Sequence, residues 1–208
     1  MAPLVGAGQP PSTLPRWPWA LLALLLAGVI VSGLTWRPSD PVGGAASLPV
    51  EVFAEVPDFA LTDQEGRPVR RADLAGRVWV AGFIFTRCGS VCPVVTERMA
   101  ALQRPGLDLV SFTVDPDYDT PGVLKEYARR HVAGASWRFL TGPRETLYRL
   151  IGRGFRLSVS AMPEGAPEHS DRLVLVDRHG RIRGAYSSGD LPAMARLRRD
   201  LEAVLAEP

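Results

Sequence analysis

The chain has 208 residues, of which 46% are hydrophobic and 22% are charged, and its formal net charge is +2. These values are typical of a globular protein with one ordinary domain and a short extension. The small net charge argues against nucleic acid as a partner. The sequence also lacks a glycine-rich phosphate loop and a Gly-x-Ser-x-Gly motif, which argues against nucleotide binding and serine hydrolysis.

The N-terminal region predicts a membrane attachment. Residues 1–15 are rich in Pro, Gly and Ala and predict a disordered leader. No charged residue lies between Arg16 and Arg37, a stretch that is long enough to cross a bilayer as one helix and has tryptophans at both ends. We therefore predict a transmembrane anchor over residues 16–37.

A cleaved signal peptide is the alternative to an anchor, because the most apolar part of this stretch also has the length of a signal-peptide core. Residues 38–50 then predict a flexible linker to a folded domain at residues 51–208. Either interpretation exports that domain. The arginine distribution favours a single-pass protein of the inner (cytoplasmic) membrane, with its domain on the periplasmic, extracytoplasmic side.

The domain begins with strand and helix patterns in alternation. An alternating stretch with an acidic-Gly turn predicts a hairpin over residues 56–69. The nearly continuous apolar run at 78–85 predicts a strand that is buried on both faces. Pro93 is placed in the first turn of the helix that follows, which continues from Val94 to Gln103.

The rest of the domain repeats the pattern and ends in an antiparallel hairpin, so a mixed sheet in an α/β sandwich is expected. The predicted strands lie at 107–114, 137–140, 172–176 and 181–186, with a short extended run at 155–159 and helices at 122–131, 144–151 and 192–205.

The chain contains two cysteines, Cys88 and Cys92, and both follow the predicted strand at 78–85. Ligands in open α/β sheets bind beyond the carboxyl ends of the strands, where these cysteines lie. Cys92 is placed at the N-terminus of the next helix. The positive end of that helix, together with Arg87, is expected to lower the thiol pKa and favour the thiolate.

Three uses of such a pair remain open from spacing alone. An inert disulfide suits an exported protein, although so small a loop constrains the unfolded chain little. Thioredoxin-type exchange normally uses Cys-x-x-Cys, and this chain has one residue more. Two thiolates can also share a soft metal ion, Cu(I) or zinc. A closed zinc site takes four protein ligands, so Cu(I) suits two cysteines and three histidines better.

The spacing does not decide which histidine would complete a metal site. His131 ends a predicted helix, where a partly charged imidazole complements the helix dipole. His179 lies in the turn of the last hairpin and is expected to be exposed. His169 ends a Pro/Gly-bearing loop before a strand, and an α/β layout could bring it near the cysteines.

Three motifs in order resemble the Sco/SenC family: the cysteine motif at 85–93, the Thr-Val-Asp-Pro-Asp-Tyr-Asp-Thr-Pro segment at 113–121, and His169-Ser170 before a strand. Members of that family are membrane-anchored, thioredoxin-fold proteins that handle copper for assembly of the binuclear copper centre of cytochrome c oxidase. The resemblance implies a thioredoxin-like three-layer α/β sandwich with a mixed sheet and an N-terminal hairpin.

The resemblance also implies the roles of single residues. Cys88 and Cys92 become the two thiolate ligands and His169 the imidazole ligand. Asp115 is expected to lie beside the site, where it supports the ligand residues or contacts a partner protein. Asp119 or Thr120 is expected to cap the next helix. Gly89 stands next to Cys88, where the family often has proline, and this difference alters the loop without moving a ligand.

The expected function is that of a copper metallochaperone rather than an enzyme, carrying copper as Cu(I), with Cu(II) as a second oxidation state. Its expected recipient is the apo copper-containing subunit of cytochrome c oxidase, and other copper chaperones or thiol reductants are further expected partners. The alternative is a thiol–disulfide oxidoreductase acting on cysteines of that subunit or of other exported proteins. A Cys88–Cys92 disulfide would switch copper binding off, since it leaves no thiolate.

Overall fold

The structure, a computed structural model, describes residues 50–157 and 170–208. These residues belong to one compact unit, Ser47–Pro208. The predicted leader, the anchor and all but the last residue of the linker lie outside the described residues, as does His169. Within the two described ranges, no helix combines the length and apolar character needed to span a membrane.

One mixed sheet organises the described part of the chain, in the strand order β1-β8-β7-β4-β5-β6-β2-β3. The strands β4, β5 and β6 pair in parallel, and the remaining pairs are antiparallel. The strands are β1 (Ala54–Glu55), β2 (Ala60–Asp63), β3 (Pro68–Arg70), β4 (Val78–Ile84), β5 (Leu107–Thr113), β6 (Trp137–Thr141), β7 (Arg172–Val176) and β8 (Arg181–Ser187). The predicted N-terminal hairpin is confirmed as β2 and β3, and the predicted antiparallel hairpin near the C-terminus as β7 and β8.

Helices connect the parallel strands and close the chain. They are α1 (Val91–Ala100), α2 (Pro121–Arg130), α3 (Arg144–Arg149), which continues as a turn of π-helix (Leu150–Gly154), and α4 (Leu191–Ala206); a 3-10 turn occupies Arg71–Leu74. Both α1 and α2 begin at the carboxyl end of a parallel strand, so their N-termini lie at the same edge of the sheet.

The centre of the core is the β4–β5 pair. All seven residues of each strand are buried, as the nearly continuous apolar pattern of β4 predicts for that strand. The register pairs Val78 with Leu107 and Ile84 with Thr113, so the two strands end level with each other. Phe83 and Phe112 stack with ring centroids 5.9 Å apart. Burying one such side chain stabilises the fold by about 1.5–3 kcal/mol, and the pair fixes the strand end that precedes the cysteines.

The helix after the cysteines begins at Val91, so Cys92 and Pro93 both lie in its first turn, as predicted. One predicted element is wrong. The extended run predicted at 155–159 is absent from its described part, residues 155–157, because α3 continues through its glycines as a π-helical turn. Gly154 is required there for close packing, since a Cβ atom would lie 2.8 Å from Cδ of Pro57.

Val132 follows α2 in a left-handed conformation, with φ of 52°, and is 80% exposed. This conformation costs a β-branched residue roughly 1–2 kcal/mol, and it is the one that glycine adopts after a helix. We expect Val132→Gly to raise the free energy of unfolding by about 1 kcal/mol, measured by chemical denaturation of Ser47–Pro208. The control Val94→Gly, within α1, should instead lower the free energy of unfolding. A destabilised Val132→Gly variant would contradict this interpretation.

Candidate metal centre

Two loops meet at the carboxyl edge of β4 and β5. The cysteine loop (residues 85–90) connects β4 to α1, and the β5–α2 loop (residues 114–120) connects the neighbouring strand to α2. The cysteine loop opens with a tight turn in which the Cys88 N–H donates to the carbonyl of Phe85 over 3.1 Å. The parallel pairing of β4 with β5 therefore places the predicted cysteine motif beside the predicted Asp115 segment.

The two sulfurs occupy different environments. No disulfide joins Cys88 and Cys92 in the structure. The backbone N–H of Cys92 donates to Sγ of Cys88 over 3.4 Å, and Oγ of Ser90 lies 3.8 Å from the same sulfur. Cys92 is only 4% exposed, whereas Cys88 is partly exposed. One sulfur is thus accessible from solvent and the other lies behind it.

This difference separates the two thiol pKa values. Burial raises the pKa of Cys92 to about 12. Burial acts in the same direction on Cys88, but hydrogen bonds from Cys92 and Ser90 outweigh it and lower the pKa of Cys88. The expectation that the helix N-terminus lowers the pKa at both positions is therefore wrong for Cys92, because its sulfur is desolvated.

We expect the two thiols to differ in reactivity with pH. Because the pKa of Cys88 is lowered, its alkylation should reach its maximum rate at a lower pH than that of an ordinary cysteine. Cys92, with a pKa of about 12, should stay protonated and react slowly between about pH 7 and 9. Iodoacetamide kinetics on the Cys92→Ser and Cys88→Ser variants would measure each thiol alone, and equal profiles would contradict the assignment.

Arg87 is held by the β5–α2 loop. Its Nη2 donates to Oδ2 of Asp115 over 2.6 Å, and its guanidinium carbon lies 4.2 Å from the centre of the Tyr118 ring. The positive charge of Arg87, which was expected to favour the thiolates, is thus balanced by the carboxylate of Asp115. The Asp115 carboxylate thus bonds the residue next to Cys88, and its role at a metal site stays a prediction.

Asp119 has a structural role that the sequence analysis missed. Its buried carboxylate accepts hydrogen bonds from the Thr86 backbone N–H, from Oγ1 of Thr86 and from Oγ1 of Thr113. Burial raises the pKa of Asp119 in spite of these bonds. Thr120, the other predicted capping residue, caps α2 by accepting from the Val123 N–H. Asp119 therefore ties the start of the cysteine loop to the end of β5.

A buried chain of hydroxyl groups supports the first turn of α1. Oγ1 of Thr96 donates to the carbonyl oxygen of Cys92 over 2.8 Å and lies 2.7 Å from the Tyr127 hydroxyl. Since the Thr96 proton is used on the carbonyl, the Tyr127 hydroxyl donates to Thr96. This chain fixes the turn that carries Cys92 against α2.

The histidines that the structure describes do not complete a metal site. Among residues 50–157 and 170–208, no three His, Cys, Asp or Glu side chains are grouped to hold a metal ion. The ring of His131 lies 4.4 Å from that of Tyr127, and burial, with Arg130 beside it, lowers the pKa of His131. His131 follows α2 directly, as predicted, and its lowered pKa weakens the partial charge that was expected to complement the helix dipole. His179 lies in the β7–β8 turn as predicted, and His169 stays a prediction outside the described residues.

The described cysteines suit a soft metal ion. The Cys92 N–H bonds the Cys88 sulfur, so both residues belong to one turn, and both thiols can become thiolates when a metal displaces their protons. Such ligands select Cu(I) or zinc. The two described cysteines therefore fit either of these metals, and they are two of the four protein ligands that a closed zinc site takes.

This chain is similar to known proteins in sequence and in fold. The SCO1/SenC family model matches residues 50–206. The SCO1 protein homolog of Bacillus subtilis is 32% identical over 142 residues, which cover 64% of this chain and 74% of that protein. BsSco, a member of the Sco family of cytochrome c oxidase assembly proteins in which a disulfide switch was identified, is 26% identical with a TM-score of 0.67, over 76% of this chain and 98% of that chain.

A copper-bound structure is also similar. ScoI of Bradyrhizobium japonicum with copper bound is 25% identical, with a TM-score of 0.56, over 70% of this chain and 99% of that chain. These likenesses agree with the expected thioredoxin-like α/β fold with a mixed sheet. Since the family model spans most of the chain, and covers both cysteines and the loops that hold them, this protein belongs to the SCO1/SenC family.

Proposed function

We propose that this protein is a copper metallochaperone that binds one Cu(I) ion through Cys88, Cys92 and His169 and delivers it to the copper centre of cytochrome c oxidase. The observation that carries the proposal is the contact between the two cysteines, where the Cys92 N–H donates to the Cys88 sulfur at a strand end. Similarity to a copper-bound ScoI and to a family of oxidase assembly proteins supports it.

The unequal burial of the sulfurs gives each cysteine a different part in this function. Cys88 is partly exposed and its thiol pKa is lowered, so an incoming copper ion binds the Cys88 thiolate first. Cys92 gives up its proton when the ion arrives, because a bound cation stabilises the thiolate that burial disfavours. His169 supplies a neutral imidazole as third ligand. Copper release reverses these steps, with Cys88 exposed to the recipient.

The test is a Cu(I) titration of the purified protein in its reduced and disulfide-oxidised forms, against a competing chelator. The proposal predicts one tightly bound Cu(I) per reduced chain and none per oxidised chain, because the disulfide removes both thiolates. Transfer to the copper-free domain of the oxidase subunit that carries the binuclear centre should follow. Reduced protein that binds no copper would contradict the proposal.

We further propose that the segment at 16–37 anchors the protein in the inner membrane, with residues 51–208 on the extracytoplasmic side. The uncharged stretch between Arg16 and Arg37 supports this proposal. Mass spectrometry of the mature protein decides between anchor and cleaved signal peptide. Loss of residues before about position 46 would contradict the anchor.

The second candidate function is thiol–disulfide exchange with cysteines of the recipient. An accessible thiol of lowered pKa in front of a buried one is the arrangement of an attacking and a resolving cysteine. In this reaction the Cys88 thiolate attacks a disulfide of the recipient, Cys92 then displaces the recipient's second thiolate, and a Cys88–Cys92 disulfide remains. A Cys92→Ser variant should trap the mixed disulfide at Cys88, and its absence would contradict this function.

A further inference from the structure

Exposed side chains lie on the two segments next to the accessible sulfur. We call Arg87, Ser90, Val94 and Tyr118 the cysteine rim. The Arg87 side chain is 52% exposed, Tyr118 is 46% exposed and Val94 is 36% exposed. Ser90 lies beside the Cys88 sulfur, and Val94 follows Ser90 by one helical turn on the same side of α1. Arg87, which directly precedes Cys88 in the chain, stacks on the Tyr118 ring.

Contacts within the chain hold two of the rim residues, Arg87 and Tyr118. Arg87 is fixed by its bond to Asp115 and its stacking on Tyr118. The backbone of Tyr118 is itself held, because its N–H donates to the carbonyl of Asp115 and its own carbonyl accepts from the Thr120 N–H. A surface that is already ordered loses little conformational entropy on binding, and Tyr and Arg are the residues most enriched in binding hot spots.

Access to the sulfurs restricts where a partner can bind. Since Cys92 is buried, a protein that exchanges a ligand at this centre must approach from the Cys88 side and cover the rim.

We propose that the cysteine rim is the docking surface for the protein that receives copper, and that the stacked Arg87–Tyr118 pair orients that protein's thiols over Cys88. Asp115 engages Nη2 of Arg87, so Nε and Nη1 donate to carbonyl or carboxylate oxygens of the recipient. Tyr118 and Val94 pack against its apolar side chains. Copper remains Cu(I) during the exchange, and the protons of the recipient's thiols pass to Cys88 and Cys92. This inference rests on the proposed copper function.

The test compares transfer of Cu(I) to two acceptors. One is the reduced, copper-free domain of the oxidase subunit that carries the binuclear centre, and the other is the small chelator bathocuproine disulfonate. The Arg87→Gln/Tyr118→Ser double variant should load copper normally and pass it to the chelator at the wild-type rate. Its transfer to the protein domain should be slowed by about 10-fold or more, as expected for the loss of two hot-spot residues.

Arg129→Gln/Val132→Ser is a matched control, because it removes an exposed, ion-paired arginine and an exposed apolar side chain at the far end of α2. Its transfer to both acceptors should match wild type. Equal slowing toward both acceptors, or no slowing toward the protein domain, would overturn the docking proposal alone. Failure of the wild-type protein to load copper would instead overturn the proposed function, and the docking proposal with it.

Discussion

Replacing either Cys88 or Cys92 by serine is expected to weaken Cu(I) binding by at least about 100-fold. The reason is that each change removes a soft thiolate ligand, and even residues that only support a ligand typically cost 10–100-fold in metal affinity. The Cys92→Ser variant should keep its fold, since serine is smaller than cysteine and the Thr96 bond is to the Cys92 backbone. Competition titration with a chromogenic Cu(I) chelator measures the effect.

Ser90→Ala is the matched control for these serine variants. It removes a hydroxyl group 3.8 Å from the Cys88 sulfur and leaves both sulfurs in place. Its affinity should stay within about threefold of wild type, as expected for loss of one weak contact. Wild-type affinity in Cys88→Ser or in Cys92→Ser would show that the ion does not bind between these two residues.

Arg183→Met is expected to lower the free energy of unfolding by about 3 kcal/mol, because it leaves polar groups buried without a partner. The buried guanidinium of Arg183 donates to the carboxylates of Asp177 and Glu207 and to the carbonyl of Val50. Arg183 thus holds Val50, the first described residue, and the C-terminal segment against β8. Asp177 keeps its bond to Arg181 in the variant, which limits the loss.

Denaturant unfolding of Ser47–Pro208 measures this loss, with Arg129→Gln as control. Arg129 pairs with Glu126 on the exposed surface of α2, where such a pair contributes less than about 1 kcal/mol. The Arg129→Gln variant should therefore unfold almost as wild type does. An Arg183→Met variant of unchanged stability would mean that the methionine side chain compensates for the lost bonds by apolar packing.

The elements that were correctly predicted as helix or strand are those with a strong local sequence pattern. The strand β4 is continuous in apolar residues apart from Gly82, and the final hairpin has a clear turn at 177–180. Pro93 lies in the first turn of α1 as predicted, because its missing N–H would have no helical partner there. The π-helical turn after α3 was missed because Gly154 packs against Pro57, about a hundred residues earlier in the chain.

The metal ligands remain predictions, and the structure shows only how the described residues around the cysteines are arranged. The resemblance placed Asp115 beside the cysteine motif, and in the structure its carboxylate bonds Arg87, the residue before Cys88. The effect of Arg87 was misjudged because its ion pair joins residues 28 apart in sequence. The high pKa of Cys92 depends on how deeply its sulfur is buried, which spacing does not reveal. His169 remains a prediction from the family resemblance.

The most direct test of the proposed site is copper X-ray absorption spectroscopy on the Cu(I)-loaded, full-length protein and its His169→Ala variant. The account predicts two sulfur ligands and one nitrogen ligand in the wild type, from Cys88, Cys92 and His169. The variant should lose the nitrogen, keep both sulfurs and bind copper more weakly. A copper shell without sulfur, or an unchanged shell in the His169→Ala variant, would contradict the proposed ligand set.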